Sequence, residues 1–156
     1  MPFTPFHLGP AFLLGMVFKK KIDIIAVLLA SVVIDIRATI YLFLGHEPLH
    51  GPFHTFIGAT VLALLLSYVL SYIFYRLGMN IEMKHIILGS LIGAWSHVFL
   101  DSFLYTDIIP FWPMMSNPLF GAISSPDIYG LCVLSGMAGL GIFAFNYMFC
   151  NQKLFM

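Results

Sequence analysis

The chain has 156 residues, 60% of them hydrophobic and only 9% charged, with seven basic and seven acidic residues giving a formal net charge of zero. A soluble domain carries roughly 25% charged residues, so this composition excludes a water-covered globule and points to an integral membrane protein. No basic patch or charge run suggests nucleic acid, and the length suits one compact transmembrane domain over residues 1–156.

Taken in chain order, the apolar runs predict an all-α bundle of about five spans. The N-terminus (Met-Pro-Phe-Thr-Pro-Phe-His) lacks the basic region of a cleavable signal peptide, so insertion is expected to rely on the first spans themselves. Residues 6–18 form a run shorter than the ~20 residues usually needed to cross. With Pro5 and Pro10 near its start, it is expected to enter obliquely, begin as a broken helix or be re-entrant, and Lys19, Lys20 and Lys21 close it. Residues 24–44 are the second span, interrupted by Asp35 and Arg37, and a loop of residues 45–53 follows. Residues 54–75 are the third span, closed by Arg76, and residues 85–105 are the fourth. A proline-rich loop, 106–127, leads to the fifth, 128–149, whose Gly and Ala suit close helix packing and leave a face that another chain could use.

Cytoplasmic loops gather Lys and Arg. Lys19, Lys20, Lys21, Arg76, Lys84 and Lys153 fall on one side, and loops 45–53 and 106–127 contain neither residue type. The N-terminus is therefore expected outside the plasma membrane and the C-terminus in the cytoplasm. Cys132 and Cys150 lie in one apolar segment about five helical turns, or ~27 Å, apart, too far for a bridge within one helix. They read as two buried thiols, and no cysteine cluster suggests an iron–sulfur or Cys-type zinc site.

Polar groups inside a bilayer are costly and mark function by default. His97 and Asp101 are four apart on the fourth span, so their side chains share a face, ~5–6 Å apart at the β-carbons. Either can bind a metal, and a His–Asp hydrogen bond that only joins helices is the plain alternative. His50 and His54 are also four apart, but Gly51 and Pro52 lie between them. Proline favours a first helical turn, so the third span should start near Pro52 with His54 in its first turn. The pair can converge on one ion without regular helical geometry. Asp35, deep in its span, needs a cation, a proton or a metal. Arg37 is the obvious counter-charge, but positions two apart do not face each other on a helix; it pairs with another helix or with an anionic substrate group. His7 at the outer end of span one is a ligand or an interfacial histidine. All these groups fall in the outer half of the membrane, which scattered structural histidines would not need to do.

Residues 46–50 read His-Glu-Pro-Leu-His, a literal match to the zincin pattern, which works only on a helix. Pro48 inside it and Gly51-Pro52 after it argue against that helix. His85, at the basic end of span four, is left out of the site.

At these positions the chain resembles the membrane-bound metal-dependent hydrolases, of the LexA-regulated inner-membrane type. The matching residues are the early His7, Asp35 after a small apolar run, the His-Gly-x-x-His-Thr element (His50, Gly51, His54, Thr55), the His-x-x-x-Asp element (His97, Asp101) and the Pro-Phe-Trp-Pro stretch at 110–113, over residues 1 to about 115. The family's second element often reads Pro-Asp-x-Asp, whereas here it reads Ile34-Asp35-Ile36-Arg37. One carboxylate is replaced by arginine, so the resemblance implies one metal rather than two. What it implies is a hydrolase with a metal region spanning residues 7–101, a divalent ion such as zinc held from a pool of His7, His50, His54, His97 and Asp101, and Asp35 as ligand or base. The substrate would be a membrane lipid or a headgroup-depth ester, phosphoester or amide, with Arg37 available to a phosphate. A metal-ion or proton transporter uses similar mid-depth ligands, and a haem-binding or structural subunit of a larger complex would place His54 and His97 as axial ligands or packing groups.

Overall fold

The computed structural model describes residues 4–149; Cys150 and Lys153 lie outside them. Among the described residues the secondary structure is all helical: α1 Leu8–Val17, α2 Ile24–Val33, α3 Ile36–Leu44, α4 Phe56–Arg76, α5 Met83–Asp101 and α6 Ser125–Phe149, with single 3-10 turns at Thr4–His7 and Pro52–His54. Four helical stretches are long and apolar enough to cross a membrane: Ile24–Leu44, which joins α2 and α3, then α4, α5 and α6. The apolar helix Pro5–Val17 is shorter. The arrangement is the expected bundle of about five apolar segments with a short first one.

Local chemistry sets the ends. Asp23 caps α2 by accepting from the Ala26 N–H at 2.7 Å. Gly45 (φ 67°) and Gly78 (φ 72°) take the left-handed conformation that terminates α3 and α4. The third span starts at Phe56, four residues past the Pro52 expected to open it. Thr55 is the residue in extended conformation whose hydroxyl accepts from the Gly58 N–H at 2.9 Å, so Thr55 is the cap and Pro52 only opens a separate turn. At Asp35 the backbone tightens, with the Asp35 N–H bonded to the Val32 carbonyl at 3.1 Å and the Thr39 N–H to the Asp35 carbonyl at 2.8 Å. The span is thus broken at its carboxylate, a local tightening of the kind that recurs at functional positions.

Helix α5 is central, packed on α2 and α4, and α1 bridges α2 and α6. Core side chains Ala30, Ile34, Ala59, Ala63, Ala94 and Val98 fill the junction of α2, α4 and α5. The glycines of the fifth span are used within the chain: Gly139 backs onto Phe12 and Leu13, and Gly136 onto Gly9, so α1 lies close on α6. Large apolar side chains such as Phe43, Tyr75 and Met115 face outward, as lipid contact requires. The connections following α1 and α4 meet at one end, where the Asp23 N–H bonds the His85 carbonyl at 3.0 Å. The connections following α3 and α5 meet at the other, where the Phe56 N–H bonds the Pro110 carbonyl at 2.9 Å.

Candidate metal centre

The second of these ends gathers most of the polar residues singled out above. Asp35 sits at the α2–α3 break, His54 closes the Pro52–His54 turn, and His97 and Asp101 occupy the last turns of α5. One ligand atom from each of the four lies within 4.8 Å of the others, and all four residues are buried. The His54 Nε2 is 3.2 Å from Asp35 Oδ1 and 3.7 Å from Asp101 Oδ2. The His97 Nε2 is 3.3 Å from Asp35 Oδ1 and 3.2 Å from Asp101 Oδ2.

The tautomer of His97 is decided by its other nitrogen. Nδ1 lies 2.6 Å from the Ser31 carbonyl, which can only accept, so Nδ1 carries the hydrogen and donates it. In the neutral ring Nε2 then presents a lone pair to two carboxylate oxygens. Lone pair against lone pair is repulsive unless a cation or a proton stands between them. Two imidazoles and two carboxylates are a donor set that suits zinc and related divalent ions, and a backbone carbonyl on the far nitrogen is the usual way a metal-binding imidazole is oriented. The residues present therefore fit a divalent ion. His54 lies ahead of the α4 span, and burial pushes its imidazole below the usual value against the opposing pull of Asp35, which favours the neutral, ligating form.

His7 approaches from the 3-10 turn before α1. Its Nε2 is 3.0 Å from Asp101 Oδ1, and its ring stacks on His97 at 4.0 Å between centroids. Asp101 thus turns Oδ2 to the four-residue group and Oδ1 to His7, so His7 orients a candidate ligand. His7→Phe should keep one ion per chain and weaken its affinity by about 10–100-fold, as read by calorimetric titration. Loss of the ion altogether would make His7 a ligand in its own right.

His50 is placed beside the group rather than in it. Its Nδ1 donates to Asp107 Oδ1 at 2.8 Å, and its backbone N–H donates to Asp107 Oδ2 at 3.3 Å. Its ring packs against those of His54 and Tyr105, at 4.7 and 4.4 Å between centroids. Extended Gly51 and the 3-10 turn Pro52–His54 break the helical spacing that would put His50 and His54 on one face. Burial pushes the Tyr105 phenol above its usual range, so at neutral pH it is an uncharged hydroxyl. Arg37 donates to the Leu49 carbonyl at 3.0 Å and lies over the Tyr41 ring at 3.9 Å, tying the loop before His50 to α3. The zincin-like residues 46–50 are not helical, and His46 and Glu47 are exposed. Asp107 and the Ser31 carbonyl are the contributors that sequence reasoning missed. Asp107 carried a signal, as the first carboxylate in the loop after the His-x-x-x-Asp element; a backbone carbonyl carries none. No family model, curated protein or solved structure matches the chain.

Proposed function

We propose that the chain is a membrane-embedded hydrolase built around one divalent cation, zinc being the leading identity, with Asp35, His54, His97 and Asp101 as ligands. The observation that carries this reading is the Nε2 of His97, fixed by the Ser31 carbonyl so that its lone pair meets carboxylate oxygens at 3.2 and 3.3 Å. A divalent ion held there with one position left open to water would lower the pKa of that water toward ~7 and supply a nucleophile at neutral pH. The chain's own residues hold that geometry: His7 and the Ser31 carbonyl orient Asp101 and His97, and the α2–α3 break presents Asp35. The substrate class is a lipid or another ester, phosphoester or amide at headgroup depth. The supporting argument is that the site lies at the end of the bundle opposite Lys19, Lys20, Lys21, Arg76 and Lys84. By the distribution of basic residues that end faces outward from the plasma membrane, with the N-terminus outside and the C-terminus in the cytoplasm. The motif resemblance to the membrane-bound hydrolases points the same way.

A proton on His97 Nε2 is the competing occupant and would make the group a structural ion pair. Elemental analysis of protein purified without chelator decides between them. One zinc or similar ion per chain is expected, together with metal-dependent release of fatty acid, phosphate or amine from lipids in proteoliposomes. Protein without stoichiometric metal removes the reading.

A further inference from the structure

The four ligands are sealed from solvent: Asp35 and His54 are 2% exposed, His97 and Asp101 0%. Any ion bound there must cross protein to arrive, and a working metal site needs an entry path. Asp107 lies at the surface beside this group, with 37% of its side chain exposed. Its two carboxylate oxygens hold both the ring and the backbone N–H of His50. That grip fixes the hydrogen on Nδ1 and leaves a lone pair on Nε2. The Nε2 atom is buried and has no hydrogen-bond partner among the described residues. A buried acceptor without a donor is costly to the fold, a cost that an apolar ring at this position would not carry. The His50 ring meets the His54 ring edge to face, and His54 belongs to the ligand group.

We propose that Asp107 and His50 form a transit site for a divalent cation, passing it from the surface to the buried ligands. The exposed carboxylate attracts the hydrated ion, the buried lone pair of His50 replaces part of its water, and His54 receives it. This rests on the metal-centre reading above. A transit residue changes the barrier and not the end states, so entry and exit must slow by the same factor while affinity stays constant.

The test is stopped-flow binding of Co²⁺ to the metal-stripped full chain in detergent, followed by the visible absorption of the bound ion, with Zn²⁺ displacement for the exit rate. Asp107→Asn and His50→Phe should each slow uptake by about tenfold or more, slow release equally, and leave one ion per chain at unchanged Kd. The His50→Phe ring fills the same space, and the exposed Asp107 gives a second variant that does not disturb the core. Unchanged rates overturn the proposal, as does a loss of equilibrium affinity in His50→Phe, which would make His50 a permanent ligand. Failure of the unsubstituted chain to take up any ion overturns the metal-centre reading itself, and is seen before the variants are compared.

Discussion

Chelation should lower the unfolding midpoint of the purified chain and leave that of the Asp101→Asn variant almost unmoved. An ion present at about a thousand times its Kd stabilises the folded state by about 4 kcal/mol, and this is what the chelator removes. Asp101→Asn loses a candidate ligand, so there is little bound ion to remove. The metal-loaded parent should therefore be more stable than the chelated parent, while the variant should give nearly the same midpoint with and without chelator. A structural ion pair gives a different pattern: chelator would leave both proteins unmoved, and Asp101→Asn would cost about 3–5 kcal/mol in either condition, because the buried imidazoles lose their partner. Denaturation midpoints of the two proteins, each measured with and without chelator, separate the cases. Parallel chelator effects in both proteins would sink the ligand assignment of Asp101.

The parts of this site legible in the sequence are those in which spacing alone fixes geometry. His97 and Asp101 are four apart on an uninterrupted helix, so their shared face followed from helical pitch. Asp35 stood out because a carboxylate in an apolar run is costly wherever it sits. The four apolar stretches of spanning length were legible for the same reason. What was hidden depends on the path of the backbone. The start of α4 turned on whether Pro52 or Thr55 would act as cap, and the Thr55 hydroxyl, by accepting from the Gly58 N–H, moved the helix past His54. That shift separated His50 from the candidate ligand group. Asp107 lies 57 positions from its partner His50, and no local pattern encodes such a contact. Arg37 read as an intramembrane counter-charge, yet its guanidinium reaches the Leu49 carbonyl, because the loop after α3 folds back over it.

The smallest substitution expected to damage the site at a distance is Gly93→Ala. On α5, Gly89, Gly93, His97 and Asp101 recur every four residues and so form one stripe. Helix α2 lies directly on it: a β-carbon at Gly93 would collide with the Val27 carbonyl, and one at Gly89 would stand 2.6 Å from the Asp23 carbonyl. Backbone cannot yield as a side-chain tip can, so the added methyl must push α5 off α2. The same contact sets the reach of His97 to the Ser31 carbonyl, a hydrogen bond of 2.6 Å. Two effects then oppose each other. Alanine gains about 1 kcal/mol over glycine within a helix, while overpacking costs about 1–3 kcal/mol. Because the obstacle is a carbonyl, overpacking wins, and Gly93→Ala is destabilising although alanine is the better helix former. Gly130 in α6 is the control, since a β-carbon there meets nothing within 4 Å, and Gly130→Ala should be neutral or slightly stabilising. Metal affinity should fall about 10–100-fold in Gly93→Ala, with no ligand replaced, because the imidazole loses its fixed partner, and should stay constant in Gly130→Ala. Denaturation and metal titration of both variants provide the measurement. Equal affinity in the two would mean that His97 keeps its place without the glycine stripe, and that α5 is positioned by the contacts at its end and not along its length.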